Sequence, residues 1–318
     1  FRPDPFDLVA VDGGSGPFTW CANRPVAGCN WAVEAPGELC LSCSLTRTRP
    51  PDGTDVGELF VATEGAKRRL VAHLVDLGLP LVSFRDDPDG GVGFDLRAGR
   101  LDASVVIGHE DGLITLDVDE ADPAHRERVR RELGEAYRTV LGHLRHEIGH
   151  YWWALLTDER SGESGRLAEV RRIFGDERVD YQRAIDRHYA DGPPMGWRAE
   201  FVSAYASMHP WEDWAETWAN YLHMVDTLDT AMSFGLDGGD VEIDIEPYGD
   251  DALDAPGDPG AGRFLGLVNA WLQITALMNE LARSMGQPDF YPFVLSHHAV
   301  AKLHFVHRVV VAAAARSS

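Results

Sequence analysis

The stretch HLRHEIGHYWW, residues 143 to 153, places His146, Glu147 and His150 in the order H-E-x-x-H. On a helix, positions i and i+4 share a face about one turn apart, so two imidazoles at this spacing can converge on one Zn²⁺. The intervening glutamate is then placed to take a proton from water at the metal. Chance occurrence on an amphipathic helix is the bland alternative, since the pattern fixes only three positions. Two features weigh against it. Leu141, Leu144, Ile148 and Trp152 form an apolar stripe beside the histidines, and a segment able to supply a third ligand lies downstream. His143 falls one turn earlier on the same face but outside the motif, and reads as a buried or supporting histidine.

A catalytic zinc takes three protein ligands and keeps one position for water. No H-x-x-G-x-x-H continuation follows His150. The best donor is HPWEDWAETWANYLH, residues 209 to 223, with acids at Glu212, Asp213 and Glu216. Glu212 and Glu216 are an i, i+4 pair, and on spacing alone either can be the ligand. Asp213 points off their shared face and reads as a surface or capping residue. Trp211, Trp214 and Trp218 are expected to pack this helix against the H-E-x-x-H helix.

A second metal-type cluster lies near the N-terminus. All four cysteines, Cys21, Cys29, Cys40 and Cys43, fall within 23 positions, and none follows. The pattern C-x7-C-x10-C-x2-C ends in a knuckle that sets two sulfurs at zinc-binding separation. Two disulfides or free thiols are the alternatives. A zinc closed by four thiolates has no open position, so its expected role is structural: it staples a Pro/Gly-rich segment too small to fold alone.

The elements that must carry these residues follow from periodicity. Residues 1–50 read as the metal-stapled module and 46–57 as a linker, followed by a larger domain over 56–318. Helices are expected at 58–77, over most of 119–158, in GRLAEVRRIFGD and ERVDYQRAIDRHYADG, from 212 to 235, and around 263–285 and 297–315. VGFDLR and ASVVIGHEDGLITLDV read as strands, the latter a hairpin turning at HEDG. By fold analogy, the hairpin around GLITLDV, residues 112 to 118, could supply an edge strand on which an extended peptide lies. A few strands followed by many helices is an α+β pattern. The acidic loop at 237–262 lacks EF-hand spacing and reads as solvated surface rather than a calcium site.

Composition bounds the partners. Hydrophobic residues make up 44% and charged residues 25%, which describes a globular chain. Acidic residues outnumber basic ones 51 to 29, a formal charge of −22. Such a surface repels phosphate backbones and anionic lipid, so neither nucleic acid nor membrane is an expected partner. No apolar run is long enough to span a bilayer and no signal pattern opens the chain, which leads to a cytoplasmic expectation.

The segments CNWAVE, LCLSCSLTRTRP, AKRRLVAHLVDLGLPL, YRTVLGHLRHEIGHYWW, FVSAYASMHPWEDWAETWANYLH and YPFVLS together resemble the bacterial family of putative zinc-binding metallopeptidases that carry an N-terminal zinc ribbon. The resemblance covers essentially the whole chain. It implies a zincin-like, mostly helical metallopeptidase domain with a small β-sheet behind a zinc ribbon. It also implies a further cysteine-rich knuckle upstream, with the four visible cysteines as half of a ribbon and Phe1 as a trimmed start. In the related gluzincins, a glutamate ligand is followed four residues on by an acid that hydrogen-bonds a ligand histidine. That resemblance assigns Glu212 to the metal and Glu216 to a histidine's outer nitrogen. Some gluzincins with an E-x-x-A-E segment place a tyrosine where Tyr205 stands, near the substrate carbonyl; a core tyrosine is the alternative. The implied cofactors are one catalytic and one structural Zn²⁺. The implied partner is a peptide or protein substrate, with a further protein partner conceivable through the ribbon. A zinc amide hydrolase acting on a small molecule, and a binding module with a vestigial metal site, remain open. The complete H-E-x-x-H argues against the second.

Overall fold

A computed structural model describes residues 2–3, 8–9, 18–133, 139–157, 164–241, 243–292 and 294–317. Phe1 lies outside them. The chain groups into two compact units, residues 1–144 and 145–318.

The first unit opens with two short antiparallel ladders. Strand β1 (Arg2–Pro3) pairs with β2 (Leu8–Val9), and β3 (Thr19–Trp20) with β4 (Ala32–Val33). Helix α1 (Arg24–Ala27) lies between β3 and β4, and α2 (Leu41–Ser44) follows. Residues 46–48, read above as the start of a linker, instead form strand β5 (Thr46–Thr48). Its Thr-Arg-Thr alternation suits a half-buried strand. Arg47 forks onto the buried Asp95 carboxylate at 2.9 and 2.6 Å. Helix α3 (Gly57–Asp76) matches the expected helix, and it carries a charged group into the core. Lys67 and Glu64 are fully buried and paired at 2.8 Å, with Thr46 donating to the same carboxylate oxygen at 2.6 Å. Arg68 donates to the carbonyls of Ala27 and Gly28, which ties α3 to the segment after α1.

Strands β6 (Gly93–Arg97), β7 (Gly108–Glu110) and β8 (Leu113–Asp117) join β5 in a sheet of order β5-β6-β8-β7. The hairpin is present, turned by Asp111 (φ 48°) and Gly112 (φ 82°), the left-handed pair that a two-residue hairpin turn demands. The hairpin supplies an edge of the sheet, through β7 rather than β8. Strand β8 pairs in parallel with β6 and antiparallel with β7, so it is interior, and three-residue β7 forms that side of the sheet. The expected long helix over 119–158 is represented by α4 (Pro123–Leu133) and α5 (Val140–Thr157).

The second unit is helical. Most of α5 is followed by α6 (Ser164–Phe174), α7 (Tyr181–Asp191), α8 (Pro210–Ser233), α9 (Ala261–Ser284) and α10 (His297–Ser317). Helix α8 is central and contacts α6, α9 and α10. Its tryptophans fill the core: Trp218 stacks on Trp152 with centroids 5.5 Å apart, and Trp214 meets Trp153 and Phe174 edge-on. Helices α5 and α8 cross at Gly149, where a Cβ would sit 3.1 Å from the Ala215 Cα and 3.2 Å from the Trp218 Cβ. No described helix is long and apolar enough to cross a membrane.

Candidate metal centre

Helix α5 presents His146 and His150 one turn apart, as the i, i+4 spacing requires. Helix α8 supplies the third donor from its first turn. His209 caps that helix, its Nδ1 accepting from the Trp211 amide at 3.1 Å, with Pro210 at the first helical position. His209 Nε2 donates to the Val179 carbonyl, which fixes the ring. Glu212 therefore sits where the helix dipole favours a carboxylate. Trp211 lies against the His150 ring, centroids 4.0 Å apart.

Three atoms converge. His146 Nε2 is 3.0 Å from Glu212 Oε2, His150 Nε2 is 3.6 Å from the same oxygen, and the two Nε2 atoms are 3.1 Å apart. Ligands about 2.0–2.1 Å from a tetrahedral zinc would be separated by about 3.3 Å, so the spacing suits one small cation. Among the described residues, buried Glu212 Oε2 has no hydrogen-bonding partner. Glu212 and Glu216 together raise the His146 pKa well above its ordinary value, although burial works against them. Burial likewise works against ionised Glu212, but the two imidazoles hold its pKa down. The pocket thus calls for positive charge, which a metal cation supplies.

The outer side of this group is equally defined. Glu216 Oε1 accepts from His146 Nδ1 at 2.8 Å, and its Oε2 accepts from Ser203 Oγ at 2.5 Å. A carboxylate at Nδ1 fixes the tautomer that turns the Nε2 lone pair toward the cluster. Glu147 is buried between the two histidines in sequence. Tyr205 lies beside His146, ring centroids 6.1 Å apart. Burial and the Glu212 charge push the Tyr205 pKa far up, so the phenol keeps its proton.

Several residues of the site carried no signal in the sequence. Tyr181 Oη donates to Glu212 Oε1 at 2.9 Å. Burial and the Glu212 charge push the Tyr181 phenol up as well. His188 packs edge-on against Tyr205. Asp213 requires a correction. It is buried, not a surface or capping residue, and pairs with Lys302 of α10 at 2.7 Å. Burial still pushes its carboxyl up to about 7. Helix α8 is packed on more than its α5 face, so an off-face residue meets α10 rather than water. His143 is held by Glu120, its Nδ1 2.8 Å from Glu120 Oε2.

In the first unit the four cysteines are buried and unbridged. Their sulfurs lie within 4.8 Å of one another. The Cys29 and Cys40 sulfurs are 3.6 Å apart, against about 2.05 Å for a disulfide and about 3.8 Å for two thiolates on one zinc. The Cys40 pKa is lowered to about 5, chiefly by the Cys43 thiol, while burial raises Cys29 to about 11. The four sulfurs together could hold one metal ion.

Residues 57–309 match the family described as putative zinc-binding metallo-peptidase. The chain belongs to that family. Residues 6–54 match a zinc-ribbon domain. Proteins from Mycobacterium bovis and from two strains of Mycobacterium tuberculosis are each 45% identical over 293 residues, covering 91% of this chain and 82% of the relative. All three are named only as uncharacterized proteins. No solved structure matches the chain.

Proposed function

We propose that the chain is a zinc-dependent hydrolase, a metallopeptidase that cleaves peptide bonds, with His146, His150 and Glu212 holding the ion. The observation that carries this reading is the convergence of two Nε2 atoms and one carboxylate oxygen, with buried Glu147 next to His146 on the same helix. Zinc held there would supply Lewis acidity, bringing the pKa of a coordinated water toward ~7 and polarising a carbonyl.

The remaining work falls to the chain. Glu147 takes the proton of the attacking water as general base. It passes that proton to the amide nitrogen as the C–N bond breaks, and returns to its carboxylate form. Glu216, steadied by Ser203, keeps His146 in one tautomer and orientation. Tyr205 donates to the developing oxyanion. Its raised pKa keeps the proton on the phenol for that donation.

Profiling on a broad peptide library tests the reading, with Glu147→Gln compared at matched zinc content. Cleavage by the native chain and none by the variant is expected. Equal cleavage by both would remove Glu147 as base. No cleavage by either, with zinc bound, would turn the reading toward a small-molecule amide.

A further inference from the structure

The Glu212 carboxylate is held asymmetrically. Its Oε2 faces the two imidazoles, while Oε1 accepts the Tyr181 phenol at 2.9 Å. Tyr181 comes from the first turn of α7, 31 positions before Glu212. Asp180 caps that turn by accepting from the Arg183 amide at 3.0 Å. The Tyr181 ring is wedged edge-on between His209 and Trp211, centroids 5.2 and 5.8 Å away. These are the residue that caps α8 and the residue that lies on His150. The phenol is therefore fixed by the same groups that fix the ligand helix.

We infer that Tyr181 is a positioning residue that occupies one oxygen of Glu212, limiting this carboxylate to one-oxygen metal ligation and leaving room at the ion for water. The inference rests on the reading of Glu212 as a ligand. A carboxylate with both oxygens available can take two coordination positions. One whose second oxygen carries a strong hydrogen bond is held to one.

Tyr181→Phe removes only the hydroxyl and is the direct test. Cobalt(II), loaded in place of zinc, reports coordination number through its visible bands, which weaken as a four-coordinate ion becomes five-coordinate. Tyr181→Phe is expected to weaken those bands and to release zinc to a competing chelator about 10–100-fold more readily. An unchanged cobalt spectrum overturns the proposal, whatever the affinity. Tyr205→Phe leaves the bond to Glu212 in place and is expected to keep the native spectrum; if it loses the bands as Tyr181→Phe does, the proposal also falls. Thermal melting of each variant separates these outcomes from loss of fold. Glu212→Ala distinguishes the two levels of the argument: native metal affinity in that variant would sink the ligand assignment itself.

Discussion

Glu212 and Glu216 lie one turn apart on the same helix yet meet different atoms. Glu212 Oε2 faces both imidazole Nε2 atoms, whereas Glu216 reaches the far side of His146. Removing a ligand deletes charge and a coordination bond; removing an outer carboxylate only frees a ring, at a typical loss of about 10–100-fold. Glu212→Ala should therefore lose the α5–α8 zinc under mild chelation, while Glu216→Ala should hold it weakly but measurably. Equilibrium dialysis against graded chelator checks this order. The reverse order would mean that the ligand register is off by one helical turn. His146, Glu147, His150 and the two glutamates were legible because each pair lies on one helix, where spacing dictates facing. Tyr181 and Ser203 were not, because they come from other elements and no local period points at Glu212 or Glu216. Lys302 was hidden for the same reason, and with it the burial of Asp213.

The crossing of α5 and α8 is set by one glycine inside the motif. Trp214 Nε1 donates to the Gly149 carbonyl at 2.8 Å, and Ala215 and Trp218 fill the place a side chain would take. Gly149→Ala must push backbone and tryptophan away by a few tenths of an ångström, since the nearest atoms are not flexible ends. A cost of about 1–3 kcal/mol is expected for such overpacking, together with weaker zinc retention, because the ligands ride on both helices. Chemical denaturation and chelator competition measure the two effects. Native values for both would show that the helices do not need this approach. The helices themselves were readable from their apolar spacing and terminal Gly and Pro. The strand order was not: β8 has the pattern of a half-buried strand, and nothing local reveals that β6 closes its other side.

Two histidines of the second unit bear on the whole molecule. Burial lowers His307 to about 4, and its Nδ1 lies 2.9 Å from the Tyr221 hydroxyl. Burial lowers His223 to about 4 as well. Unfolded histidine titrates near ~6.5. Each folded pKa is therefore depressed, so the unfolded chain binds protons first. The stability contributed by the neutral rings is complete above about 6.5 and is lost as the pH falls toward 4, by up to about 3 kcal/mol for His307. Thermal melting across that window should show falling stability. His307→Gln keeps a hydrogen-bonding group beside Tyr221 without a titrating ring and should flatten the slope; an unchanged slope would remove His307 from the account. Metal content is a second property of the whole chain. Total-metal analysis should give two zinc ions, falling to one in His146→Ala as the four-cysteine site keeps its own.

Diffraction at the zinc absorption edge, from crystals of the metal-loaded chain, tests the central claim most directly. The account predicts one anomalous peak among the sulfurs of Cys21, Cys29, Cys40 and Cys43. It predicts a second peak at about 2.0–2.2 Å from His146 Nε2, His150 Nε2 and Glu212 Oε2. A chain whose zinc lies only among the cysteines, or whose second ion is held by Glu216 while Glu212 turns away, would contradict it.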